Sequence, residues 1–341
     1  MAKCELTITI DKPDRTVAPG ERITGIVQVR ADADVPCNGL TVTREWSTHG
    51  KGNRCTGGSE TLTLFKGAWS ADEAVTYEWA FDVPAGPVTY HGHFLNVDWY
   101  IRARADVPWA IDAKAEEEFI VVPGRAEMQL GPEHKAPDAA KPGQASPGCA
   151  FAVGMVFLLV GLAIFIVGLV VLNQQTCGGL ITLVFGFVFG LIGGAVAYGA
   201  IRNTLAQRTL GAVDVGFSSR AVRKGDALGV SAKFTPRAAA DVTRVTARLI
   251  GRERVISGSG TNKTTHTHGL HEQTVEVSGA TRLVPGQPVE LTASLPVPVN
   301  AAPTFAASEN YLEWLVTVHF DLPGRPDWEQ DYPIDVVPFD R

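Results

Sequence analysis

The sequence predicts an all-β protein, two β-sandwiches separated by a two-helix transmembrane hairpin. Three observations carry this: two uncharged runs in the middle, short alternating apolar runs on either side, and the repetition of one half in the other. At 341 residues the chain is long enough for two cores, since domains usually span about 100–200 residues.

Residues 150–172, AFAVGMVFLLVGLAIFIVGLVVL, carry no charge, and at about 1.5 Å per residue they cross a hydrocarbon layer of about 30 Å. A second uncharged run covers 178–201, and only NQQTC, residues 173–177, separates the two. So short a connection returns the chain to the side it left, which predicts a hairpin over 150–201. Gly186, Gly190 and Gly194 recur every four residues, a stripe where a neighbouring backbone can come close. Gly154, Gly161 and Gly168 recur every seven on the first helix. Membrane helices are rich in glycine in any case; the sharper reading is that these stripes pack the hairpin on itself or on a second copy, making a homo-oligomer. Neither span holds a charged side chain, the usual marker of an ion or substrate path.

Arg125, Lys135 and Lys141 precede the hairpin, Arg202 and Arg208 follow it, and the connection has no basic residue. Basic flanks stay on the cytoplasmic side, so both soluble halves are expected in the cytoplasm. The usage of Ala, Gly and Arg suggests a bacterium with GC-rich DNA, so the two spans are expected in a bacterial inner membrane. The start, MAKCELTITIDKPDRTVAPG, has no apolar core behind a basic beginning, so no secretory signal is expected.

Residues 1–125 contain ELTITI, ITGIVQV, LTVTREW, ETLTLF, VTYEWAFDV, LNVDWYIRARA and EEEFIVV. Period-two alternation over such lengths, broken by turn residues, predicts short strands with one buried face and hence a sandwich. Val97, Trp99, Ile101 and Ala103 fall inward; Asp98, Tyr100, Arg102 and Arg104 fall outward. A Pro/Ala/Gly-rich linker follows at 126–149. Residues 206–341 repeat the pattern, from GAVDVGF to YPIDVV, with Leu312, Trp314, Val316 and Val318 inward.

The halves match in detail, as an internal duplication does. VAPGERI (17–23) parallels VRKGDAL (222–228), and FDVPAGPVTY (81–90) parallels LPVPVNAAPTF (295–305). The aromatics Tyr90 and Phe305 lie nine residues before Trp99 and Trp314, and Asp106 and Asp321 follow those tryptophans by seven. These acids are expected to accept backbone hydrogen bonds in turns. Each half closes on VVP.

Residues 81–122, FDVPAGPVTYHGHFLNVDWYIRARADVPWAIDAKAEEEFIVV, resemble the signature of the arrestin-like clan: a P-x-Y-x-G turn, an aromatic-bearing strand, an acid, a tryptophan turn and a final strand. That group includes arrestins, arrestin-domain trafficking adaptors, the retromer cargo subunit and bacterial sporulation-control proteins. The likeness is weaker at 295–338, where Phe305 replaces the tyrosine and the turn glycine is missing. It implies immunoglobulin-like (arrestin-like) sandwiches in tandem and a binding scaffold rather than an enzyme. Two departures stand out: a membrane hairpin takes the place of a short linker, and no PPxY ligase-recruiting motif occurs.

Net charge is −6, from 30 basic and 36 acidic residues, which gives no basic surplus for nucleic acid. Cys4, Cys37, Cys55, Cys149 and Cys177 form no CxxC pair and imply neither a disulfide framework nor a zinc knuckle. No GxSxG elbow, phosphate loop or HExxH is present, so no catalytic residue, cofactor or metal site is expected. Two long polar connections, 47–60 and 257–274, place Lys51, Arg54, Lys263, His266 and His268 where binding residues gather at the end of a sandwich. The bland alternative is a solvated hairpin tip. His266 and His268 share a face if the segment is extended, with His271 close by, a conceivable zinc or nickel trio, but no cysteine or carboxylate completes the spacing. His91 and His93 are best read as surface residues where the chain enters a strand.

The expected function is a non-enzymatic adaptor at the membrane surface, contacting the lipid bilayer through the hairpin and a protein partner through sandwich edges and loop tips. The alternative is an accessory subunit of a membrane transport or envelope complex, with contacts made by the glycine stripes.

Overall fold

The computed structural model describes residues 4–124, 147–173 and 178–339. The N-terminal lobe comprises β1 (Cys4–Ile10), β2 (Thr16–Val17), β3 (Arg22–Ala31), β4 (Val35–Gly50), β5 (Thr56–Trp69), β6 (Ala74–Asp82), β7 (Tyr90–His91), β8 (Leu95–Asp106) and β9 (Ala113–Val121). Sheet β1-β3-β6 faces sheet β2-β9-β8-β4-β5, with β7 paired on β8. Helices α1 (Pro147–Asn173) and α2 (Gly178–Leu210) follow. The C-terminal lobe comprises β10 (Asp214–Phe217), β11 (Ala221–Arg223), β12 (Ala227–Phe234), β13 (Ala240–Val242), β14 (Arg244–Ser257), β15 (Thr264–Ser278), β16 (Thr281–Leu283), β17 (Val289–Pro296), β18 (Phe305–Ala307), β19 (Asn310–Asp321) and β20 (Trp328–Val337). Here β10-β12-β17 faces β11-β20-β19-β14-β15, with β18 on β19 and a small β13-β16 ribbon.

Alternation builds both cores. Cys4, Leu6, Ile8 and Ile10 are the buried residues of β1, and Val97, Trp99, Ile101 and Ala103 of β8 meet them from the facing sheet. Leu312, Trp314, Val316 and Val318 take the same places in β19. Truncating a buried tryptophan typically costs about 3–5 kcal/mol. The outer face of β8 departs from the expectation: Asp98 and Tyr100 are only 7% and 8% exposed, because His91 reaches Asp98 and the His49 ring lies against Tyr100.

The duplication extends to single hydrogen bonds. Gly20 and Gly225 turn with φ of 82° and 79°, a left-handed backbone that suits glycine, and they donate to Val83 and Val297. Trp99 Nε1 donates to the Pro87 carbonyl and Trp314 Nε1 to that of Ala302, each at 2.8 Å. Val121 N donates to Thr89 Oγ1, and Val336 N to Thr304 Oγ1. The turn acids are not the expected pair: Asp112 and Asp327 accept from Val107 N and Leu322 N. Asp106 and Asp321 instead end their strands, where side chains meet Asn38 and Arg244.

The helices run antiparallel along a seam of period seven. A Cβ at Gly154, Gly161 or Gly168 would collide with the backbone of Ala197, Gly190 or Leu183, and one at Gly179, Gly186 or Gly193 with that of Leu172, Phe165 or Leu158. Helices crossing at a shallow angle return to the same face every seven residues, which is why the four-residue spacing is not the seam. Gly186 lies in it; at Gly190 an added Cβ meets nothing within 4 Å, and at Gly194 only Leu158 Cδ1 at 3.4 Å. Both helices are long and apolar enough to cross a membrane, and they leave Val156, Leu159, Phe185 and Leu191 more than half exposed, unlike the core helix of a water-soluble domain.

Two boundaries shift. The helix α1 begins at Pro147, within the expected linker, the rest of which lies outside the described residues. The second helix does not stop at 201: it continues to Leu210, and Ala206 and Leu210 are fully buried in the C-terminal core. The polar tail after Ile201 can stay helical because its partners come from the lobe. Asn203 Nδ2 donates to the Glu329 carbonyl (2.6 Å), Arg325 Nη1 to Thr209 Oγ1 (2.6 Å) and Arg237 N to the Thr209 carbonyl (2.8 Å).

Candidate functional site at the junction of the lobes

The two polar connections are shorter than expected, and they meet each other. Strand β4 runs to Gly50 and β5 starts at Thr56, while β14 runs to Ser257 and β15 starts at Thr264. His266, His268 and His271 therefore lie in a strand, not in a loop. Long antiparallel pairing absorbs the polar residues because edge strands tolerate a polar outer face.

At the centre stands Glu253 of β14, with no exposed surface. Its parity is that of Val245, Ala247, Leu249 and Val255, so it points inward. Tyr90 OH donates to Oε1 at 2.7 Å, His93 N to Oε1 at 2.9 Å and Phe94 N to Oε2 at 2.6 Å. Burial pushes this carboxyl up, but the Tyr90 hydroxyl, the two backbone N–H groups and nearby His268 outweigh it and hold the group below its ordinary value. Burial, then the bond to Glu253 and its charge, push Tyr90 up. Gly92 is required beside the carboxylate, since a Cβ there would collide with Oε1.

Asn53 makes the second tie. Its N donates to the Ile256 carbonyl (2.9 Å) and its Nδ2 to the Gly258 carbonyl (2.8 Å) and to Glu309 Oε2 (2.5 Å), while the Asn53 carbonyl accepts from Asn310 Nδ2 (2.8 Å). Gly52 has no room for a Cβ against Val255 and Asn310. Apolar contact completes the joint: Trp46 meets Phe305 edge-on at 5.6 Å, and Val255, Phe305 and Leu312 join the N-terminal core.

Three of the five sequence candidates gather round Phe94. Lys51 Nζ lies 4.9 Å above its ring, and His266 and His268 lie 6.0 and 5.9 Å from it. His268 also stacks on His93 at 4.3 Å, and His266 Nε2 bonds Ser257 Oγ at 3.0 Å. Arg54 turns away to Ser47 Oγ (3.3 Å), and Lys263 pairs with Glu309 (2.5 Å). His271 does not join them; its ring lies 6.0 Å from Trp314, on the far side of a bulge at Gly251. Of the five, His266 and His268 reach across to the other lobe, while the contacts of Lys51, Arg54 and Lys263 stay within their own lobes.

Glu253, Asn53 and Phe94 were not singled out from the sequence. For Glu253 a signal exists, an acid in phase with an apolar strand face; Arg44 is the same kind of residue in β4. It is 7% exposed, donates to the carbonyls of Asp82 and Gly58, and burial depresses it. Among the described residues an open groove lies beside the end of α2, lined by Gly211, Phe234, Arg237, Pro288 and Val289, with Lys233 and Glu290 paired at 2.9 Å.

The chain is thus a tandem of β-sandwiches interrupted by an apolar helical hairpin. Scans against family models and against curated proteins find no match. Among solved structures it is similar to the crystal structure of Spo0M, a sporulation control protein from Bacillus subtilis, at 18% identity and a TM-score of 0.30 over 36% of this chain. The match spans about half, 48%, of that protein's length.

Proposed function

We propose that the chain is a non-enzymatic, arrestin-like scaffold held in a bacterial inner membrane by α1 and α2, with both lobes in the cytoplasm, and that a protein partner adds to its edge strand β15. The observation that carries this reading is the continuity of α2, which passes from an apolar span into the core of the C-terminal lobe, to which the other lobe is bound. A partner held on such a block sits at a set height and angle above the bilayer.

Strand β15 supports the mode of binding. Among the described residues it pairs only with β14, so one edge is open over 15 residues. It carries neither Lys nor Pro, two of the guards against strand addition, and between its two register shifts it pairs regularly from Val275 to His271; an extended partner segment pairs with such an edge through its main chain. The edge of β5 is guarded by Lys66 and by irregularities inside the strand near Gly58 and Gly67, both at positive φ, where its register against β4 shifts. Lys263, His266 and His268 lie at the start of the open edge.

The test is in-cell photo-crosslinking from Thr265, Thr267 and Thr274 on β15, with Glu78 on β6 as control. A discrete adduct from β15 alone, lost in a Thr267→Lys/Thr274→Lys chain, is expected; equal adducts from both strands would refute the edge. Loss of the adduct in Gly190→Leu, whose added side chain points out of the α1–α2 seam, would move the reading to the alternative, a subunit that works through its hairpin. Sidedness is checked with a membrane-impermeant thiol reagent on single-cysteine chains bearing Lys66→Cys or native Cys177. Protection of the first and labelling of the second are expected; the reverse would overturn the cytoplasmic placement.

A further inference from the structure

On the outer face of the N-terminal sheet, three strands bring a histidine and two carboxylates together. Strand β8 pairs along its whole length with β4, so β7 and β9 follow one another along its other side. That arrangement sets His91 of β7 and Glu118 of β9 on either side of Asp98. Ligand atoms of the three lie within 4.8 Å of one another, and His91 Nε2 is 2.6 Å from Asp98 Oδ1. Behind them His49 Nε2 stands 3.9 Å from Asp98 Oδ2 and 2.8 Å from Tyr100 OH. The Asp98 side chain is 10% exposed, while that of His91 is 61% exposed, so the acid is buried and the approach is open.

The duplicated lobe shows that this is a choice of chemistry. The register places Glu313 beside Trp314 as Asp98 lies beside Trp99, and Arg252 and Arg254 where β4 has Ser47 and His49. Arg252 Nε and Arg254 Nε donate to Glu313 at 3.0 and 2.8 Å, and Tyr311 covers Arg254 at 4.0 Å. Guanidinium only donates and never coordinates, whereas a neutral imidazole is a metal ligand. The position of Glu118 is held by Pro333 in the C-terminal lobe, which removes the third donor as well.

We propose that His91, Asp98 and Glu118 form a divalent-cation site of the zinc type, with one imidazole nitrogen, two carboxylate oxygens and an open position for water. His49 is a positioning residue that steadies the second oxygen of Asp98. A cation there ties β7, β8 and β9 together at the foot of the Gly92–Phe94 turn that holds Glu253.

The experiment uses the untagged full-length chain in detergent micelles, stripped by chelation and then titrated with Zn2+ by calorimetry and with Co2+ by visible absorption. One saturable Zn2+ per chain is expected, with a cobalt spectrum lacking a thiolate charge-transfer band. Loss of outer-shell partners alone weakens metal sites about 10–100-fold, so His91→Gln and Glu118→Gln should each weaken binding at least about tenfold. Both residues are exposed, so their unfolding curves without metal should match the parent. His266→Gln and His268→Gln should bind as the parent does. Absence of saturable binding, a thiolate band, or parental affinity in either His91→Gln or Glu118→Gln would overturn the site.

Discussion

At the same point of the duplicated strand, the C-terminal lobe closes Glu313 between two arginines whereas the N-terminal lobe leaves Asp98 to two histidines. The frames around the two acids agree down to the tryptophan that donates to a carbonyl twelve residues back. What differs is whether the acid's partner carries a permanent charge. Arginine always does; histidine does so only when protonated. Duplication therefore preserved the scaffold, where packing is unforgiving, and let the surface ends diverge. The loops after these strands diverge too: Arg325 anchors one to α2, while Trp109 stands wholly exposed at the tip of the other.

The sharpest way to break the comparison is to remove each acid in turn. Glu313→Ala strands Arg254, whose side chain is 11% exposed, and an uncompensated buried charge costs about 3–5 kcal/mol; Asp98→Ala without metal should cost less, about 0.5–1.5 kcal/mol, the worth of an ordinary hydrogen bond, because the His91 side chain it leaves is 61% exposed to water. Denaturant unfolding followed by tryptophan fluorescence measures both, and equal losses would mean that Asp98 is as firmly locked as Glu313.

Next in size is the joint. Tyr90→Phe removes a hydrogen bond to a buried carboxylate, worth about 1.5–3 kcal/mol, and should loosen the lobes, which limited proteolysis between them reports. Because Glu253 is held below its ordinary value of 4.5, its share of the docking energy is complete above that pH and is lost as pH falls through the lower folded value. A proteolysis profile from pH 7 to 3 should show lobe separation at the acid end, and Glu253→Gln should flatten that limb.

The hairpin gives a smaller contrast. Gly186→Leu overpacks the seam at about 1–3 kcal/mol, whereas Gly190→Leu should change the unfolding free energy of the monomer by no more than about 0.5 kcal/mol. Smallest of all is Trp109→Ser, which should leave stability within about 0.5 kcal/mol, since the ring touches no core.

Much of this was legible in the chain. The uncharged runs demanded helices, because a backbone in hydrocarbon must satisfy its own hydrogen bonds; the alternation demanded strands; and the spacing of Tyr90 to Trp99 against Phe305 to Trp314 exposed the duplication. The candidate residues were legible only as types. Lys51, His266 and His268 stood out as polar residues between strands, but nothing local said that they would close round Phe94.

The sequence by itself determined the class of each segment, since helix, strand and turn follow from periods of a few residues. Tertiary structure alone decided the joint and the His91, Asp98 and Glu118 cluster. Glu253 and Tyr90 are 163 positions apart, and their meeting depends on how two finished sandwiches dock. Likewise β7 and β9 share one side of β8 only because β4 occupies the other, a matter of sheet order that no local pattern encodes.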